Sequence, residues 1–229
     1  MSGVPVSLLY ALAVFSLLLA LVCACVITVD VIRRPFAMII MNVVWPVSAL
    51  FGSVLVLAFY MRYARQEGET PKTVSIVKSC LHCGSGCVLG DLLAEGVVGL
   101  FPTLTILTGW RWLFADKIYA AWVLDSLLAL TFGITFQYFA IAPMRQLGVR
   151  EGLKEAMKAD IASLAAWQLG MFGVMGTAQF VVFPVMMGHR ASFTTPLFWW
   201  TMQLAMLGGL LTSLPVNAWL IHAKIKERM

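Results

Sequence analysis

Charge is what this chain lacks. Only 12% of its 229 residues are Asp, Glu, Lys or Arg, against about a quarter in a soluble domain. No charged residue precedes Asp30, none occurs in 35–61 or 161–188, and His222 is the one ionisable group in 191–223. A soluble core cannot hold apolar runs of that length, whereas a helix of roughly 20 such residues crosses a bilayer. Also missing are a nucleophile–base–acid pattern of hydrolase type, a phosphate loop and a dinucleotide fingerprint. This leans the reading away from an enzyme. The three histidines, His82, His189 and His222, lie near the edges of the apolar runs, so paired haem ligands deep in a bundle are not expected.

What is present is hydrophobic: 61% of the residues are apolar or aromatic. The fold class predicted is all-α, a polytopic membrane bundle of about six transmembrane helices, since lipid leaves backbone polar groups no other partners. The helices are expected near 5–29, 37–61, 87–109, 117–142, 161–186 and 197–222. Residues 1–229 read as a single membrane domain, with 1–36 as a first, variable helix. That first helix has no basic residue ahead of it and exceeds a signal-peptide core, so it reads as permanent. Residues 145–158 read as a short amphipathic helix. Trp45, Trp110, Trp112, Trp122, Trp199 and Trp219 fall near expected span ends, where indoles anchor.

The net charge of +5 does not point to nucleic acid, because the basic residues lie between apolar runs and form no stripe. The bilayer is the expected partner. If all six helices cross, 11 Lys and Arg fall on one side and 5 on the other. The positive-inside rule then puts both ends in the cytoplasm of a bacterial inner membrane. Protein partners and oligomeric state are left open.

The chemistry concentrates in Cys80-Leu-His82-Cys83-Gly84-Ser85-Gly86-Cys87, followed by Asp91 and Glu95. Thiolates and imidazole are soft and borderline ligands for copper(I), zinc or iron. In a straight helix Cys80, Cys83, Cys87 and Asp91 share a face and His82 points elsewhere. A glycine turn at 84–86 would bring His82 back. The expected site is therefore a metal entrance of His82, Cys83, Cys87 and Asp91, with copper(I) as first candidate. The alternative is that the cysteines are small apolar fillers and the glycines admit close helix packing. Glu95 and Asp125 enter their helices from opposite ends and reach on the order of 12 Å in. Each carboxylate facing lipid would cost roughly 2.5–3.5 kcal/mol. An intramembrane polar cluster of Glu95, Asp125 and Gln168 is expected to face inward instead. The pairs Met171/Met175 and Met202/Met206 read as core filler, as does Cys23 with Cys25.

The string His82-Cys-Gly-Ser-Gly-Cys87-Val-Leu-Gly90-Asp91 through Glu95 resembles a bacterial membrane family called domain of unknown function 4396. So do Asn42-Val-Val-Trp-Pro46, Phe132 to Arg145, Lys158-Ala-Asp160, Gly170-Met-Phe-Gly173 and Pro215 to Ile221, together spanning roughly 40–229. The resemblance implies a membrane fold and a shared polar set, and no reaction. Cys80 lies outside the family string, and Gln168 stands where the family pattern has Glu. The functional expectation is transition-metal handling. The rivals are a thiol-redox protein using Cys80-x-x-Cys83 and a non-catalytic subunit of a membrane complex.

Overall fold

Helices account for almost all of the computed structural model, which describes residues 6–66 and 70–226. Six are long and apolar enough to cross a membrane: α1 (Val6–Arg33), α2 (Met41–Tyr63), α3 (Lys72–Leu100), α4 (Lys117–Arg145), α5 (Val149–Met187) and α6 (Pro196–His222). Among the described residues there is no strand, so the all-α class is as expected.

The boundaries follow local chemistry. Asp116 caps α4 by accepting from the Ile118 amide at 3.1 Å. Pro196 opens α6 at a position where its missing N–H costs nothing. Gly188 ends α5 at φ 75°, in the left-handed region that glycine enters freely. Inside α5, residues Ala178–Val182 widen into a π-helical turn just before Pro184. The wider turn relieves the clash that a proline ring makes with the carbonyl four residues earlier. The amphipathic stretch expected at 145–158 is not separate. From Val149 on it forms the first turns of α5, with Leu153 and Met157 exposed.

Helix α2 departs most from expectation. A straight helix would hold Trp45 and Tyr60 about 22 Å apart. Their ring centroids are 5.3 Å apart, and those of Trp45 and Phe59 are 6.0 Å apart. The chain reverses at Ser53 (φ 45°, ψ −126°), so 41–52 and 54–63 are two arms of a re-entrant hairpin. Trp45 is thereby buried between the arms and is not an interfacial anchor. The reversal frees helical carbonyls near the tip, and lipid would not satisfy them. The Gln203 amide of α6 donates to the Leu50 carbonyl at 2.7 Å, and Ser16 of α1 donates to the Gln203 amide oxygen at 2.9 Å.

The hairpin changes the sidedness of the chain. Ala13 of α1 packs with Leu197 of α6, and Ser16 meets Gln203, so α1 and α6 run parallel. At the far end of α1, Asp30 accepts from Tyr60 at 2.5 Å and pairs with Arg65 at 3.2 Å and with Arg34. Both feet of the hairpin therefore stand on the face where α1 ends. Val6 and Lys226 consequently lie on opposite faces, which corrects the expectation that both ends share one side. Arg111, Lys117 and Arg190 lie at the face of Val6, and the other described Lys and Arg residues lie toward the face of Lys226.

Helix α3 is the centre of the bundle. It packs on α2, α4, α5 and α6, and it is the most buried of the six helices. It starts 15 residues earlier than expected and ends at Leu100, where Pro102 opens a short 3₁₀ turn. Met171, Met175, Met202 and Met206 are buried in the surrounding apolar core, as fillers should be.

Candidate functional site

Glycine decides how α3 sits. A Cβ on Gly90 would lie 2.5 Å from the Ala129 amide nitrogen of α4, and one on Gly86 would lie 2.9 Å from that of Gly133. Gly84 lies directly under the indole of Trp167. These glycines bring backbones together, and α3 stays helical through 84–86 without a turn. The expected glycine turn is thus absent. The reason is physical: a buried helix keeps every amide bonded, whereas a turn at that depth would need other partners.

The string from Cys80 to Asp91 accordingly lies inside the bundle and not at a membrane entrance. Cys80, His82, Cys83, Cys87 and Asp91 are all buried, and the cysteines are free thiols. Without the turn, His82 does not join the cysteines. Its ring meets Phe136 of α4 edge-on at 6.1 Å, and neither ring nitrogen has a hydrogen bond. Cys83 instead lies within interaction range of Cys87, one turn along α3, and of Asp160 on α5. Among the described residues no three His, Cys, Asp or Glu side chains form a ready metal site. The four-residue entrance site of His82, Cys83, Cys87 and Asp91 is therefore not assembled; the pair Cys83/Cys87 is.

Toward the Val6 face, Asp91, Glu95 and Asp125 lie near one another across the α3–α4 seam. Both Asp91 oxygens and Oδ1 of Asp125 are buried without a hydrogen bond. Lys117 lies within electrostatic reach of Glu95. Gln168 is buried on α5 with its amide unbonded, and no polar contact joins it to Glu95 or Asp125. Asp91, Glu95 and Asp125 all face the bundle interior.

Toward the Lys226 face is a third polar group that the residue pattern did not single out. Asn217 of α6 donates to Ser163 at 2.6 Å and accepts from Ser79 at 3.2 Å and from the Lys226 ammonium at 2.9 Å. The Lys226 Nζ is 3.9 Å from Asp160 Oδ1, and both side chains are fully buried. Gln137 of α4 is also buried with its amide unbonded. Asp160 was visible only as part of the Lys158-Ala-Asp160 resemblance. Asn217 was visible only as part of the Pro215 to Ile221 resemblance, and Lys226 carried no signal, because its carboxylate partner lies far away in the chain.

The three groups are arranged in series along α3: Lys226, Asn217 and Asp160, then His82, Cys83 and Cys87, then Asp91, Glu95 and Asp125. An ionisable side chain within a span is rare and faces a partner or a pathway. Here several sit on the central helix with polar atoms unpaired. A sequence model of the family described as "Domain of unknown function (DUF4396)" matches residues 73–226. That stretch holds α3 to α6 and every residue of the series, whereas α1 and the α2 hairpin lie outside it. No curated protein and no solved structure matches the chain. The chain belongs to the DUF4396 family.

Proposed function

We propose that this DUF4396 member moves a soft monovalent cation, copper(I) first, through the bundle along α3. The observation that carries the reading is the series itself: buried thiols, an imidazole and carboxylates on one central helix, with His82, Asp91, Asp125 and Asp160 holding unpaired polar atoms. Leaving a buried polar group unpaired costs several kcal/mol in an apolar medium, so such a row implies a guest that satisfies it in passing. The pair Cys83/Cys87 is the soft step, since thiolates select copper(I). The carboxylates toward either face attract a cation and release it.

The distribution of Lys and Arg orients the chain. The face of Lys226, rich in them, is cytoplasmic, and the Val6 face looks out of a bacterial inner membrane. The ion is cargo, so its site is transient and need not be preformed.

The test is copper(I) stoichiometry in purified full-length protein under reducing, chelator-controlled conditions. The native chain retains copper(I), and the double variant Cys83→Ser/Cys87→Ser does not. Equal metal content in the two proteins overturns the reading.

A further inference from the structure

The end of α6 does something unusual for a helix leaving a membrane. Lys224 adopts φ 56°, and the Ile225 and Lys226 amides both bond back to the Leu220 carbonyl at 3.0 and 3.2 Å. This turn sends the Lys226 side chain inward, while Lys224 stays exposed. The ammonium ends fully buried, 2.9 Å from the Asn217 side-chain oxygen. Asn217 is itself held by Ser79, Ser163 and the Ser213 carbonyl, so the acceptor is fixed in place. Cys80 and His82 of α3 lie within electrostatic reach of the ammonium.

Its counter-ion is incompletely engaged. Asp160 is fully buried, yet neither carboxylate oxygen has a hydrogen bond, and the ammonium is 3.9 Å away. That is an ion pair at its outer limit. Room for the carboxylate comes from Gly133 of α4, where any Cβ would run into Asp160 Oδ2. On its other side Asp160 is within reach of the Cys83 thiol.

We infer that Asp160 with Cys83 is a cation-binding site, and that Lys226 is its tethered occupant, closing the site until a cation displaces it. The inference rests on the proposed function for the identity of the cation, but the docking of Lys226 does not. A lysine on a short turn is suited to the task, being a compact point charge on a flexible stem. Because the tether is the chain's own last turn of helix, displacing the ammonium returns it to the aqueous face next to Lys224. The same charge that neutralises Asp160 at rest repels a second cation entering from that face.

Two measurements on the full-length chain separate the parts. The first uses no metal: an amine-reactive acylating reagent is applied to protein in detergent, and Lys226 and Lys224 are compared by mass spectrometry. Lys226 is expected to react on the order of tenfold more slowly in the native chain and to approach Lys224 in Asp160→Asn. Equal reactivity in the native chain, which needs no variant to fold, overturns the inference. Continued protection in a folded Asp160→Asn protein does so too. The second measures copper(I) entry into proteoliposomes for the native chain and for Lys226→Gln, which keeps a donor for Asn217 and loses the charge. Entry is expected to rise on the order of tenfold. Unchanged entry in a transporting Lys226→Gln protein overturns the gate. No entry in either protein, with Lys226 still protected and released by Asp160→Asn, sinks the transport reading and supports the docking.

Discussion

Gly90 and Gly96 lie six residues apart in α3 and should answer the same substitution with opposite signs. At Gly96 an added Cβ meets nothing within 4 Å, so Gly96→Ala is expected to stabilise by about 0.8–1.0 kcal/mol from helix propensity alone. At Gly90 the same methyl would sit 2.5 Å from the Ala129 amide nitrogen and 2.7 Å from its Cα. Ordinary carbon contacts begin near 3.5 Å, so α3 and α4 must part by about 1 Å. Overpacking of that kind costs roughly 1–3 kcal/mol and outweighs the propensity gain. The propensity contribution is common to both variants. Their difference in stability therefore isolates the packing cost, with Gly90→Ala the weaker by about 1–3 kcal/mol. The assay is unfolding of the purified full chain in mixed micelles by increasing anionic detergent, read by tryptophan fluorescence. Equal midpoints for the two variants would mean that α3 and α4 do not approach through Gly90. The packing argument for the whole central helix would then fail.

Glu95→Gln keeps shape and hydrogen bonding near Asp91 and Asp125, whereas Glu95→Lys inserts a longer cation. Membrane yield, measured as folded protein per cell, is expected to stay near native for the first and drop clearly for the second; comparable yields would mean that the position is wet or exposed. The re-entrant α2 predicts that a reporter fused after Met229 is cytoplasmic while one fused ahead of Met1 is not. A reporter inserted near Gly68, which lies outside the described residues, should be cytoplasmic as well, and cytoplasmic signals at both chain ends would restore a straight α2.

The helix count was legible because hydropathy reports what lipid will tolerate, and five of the six helices show lipid an apolar face. Helix α3 was placed 15 residues late for the same reason. Its neighbours cover its first half, so its Ser, His and Cys residues and the glycines at 84, 86 and 90 never meet lipid and a hydropathy criterion has no purchase on them. By sequence alone the glycines at 84 and 86 fit either a chain break or close helix packing. In the buried half of α3 they serve close approach, a distinction that requires knowing what lies opposite. Cys83 and Cys87 were legible as a pair because helical spacing alone aligns them. Bringing His82 to them needed a backbone break for which the interior offers no hydrogen-bond partners.

The hairpin was the least legible element. Residues 35–61 are uncharged and look like one span, because nothing local distinguishes a helix that crosses from one that folds back at its middle. What permits the fold is Gln203, 153 residues from the Leu50 carbonyl that it satisfies. One trace of it can be read in the sequence in retrospect. With α2 straight, Arg33 and Arg34 fall on the sparsely basic side, against the positive-inside tendency. With α2 folded back, both join the basic face, and among the described residues only Arg111, Lys117 and Arg190 remain opposite. The tip also lies beside Asp91: Leu50, Phe51, Gln203 and Asp91 line one cavity of about 450 Å³ between α1, α2, α3 and α6. Broken helices of this kind bring backbone dipoles to ion sites near the midplane of transporters. A helix that returns half-way therefore places its tip, at Leu50 and Phe51, beside the Asp91 end of the polar series, where on the proposed function a cation leaving the thiols would next arrive.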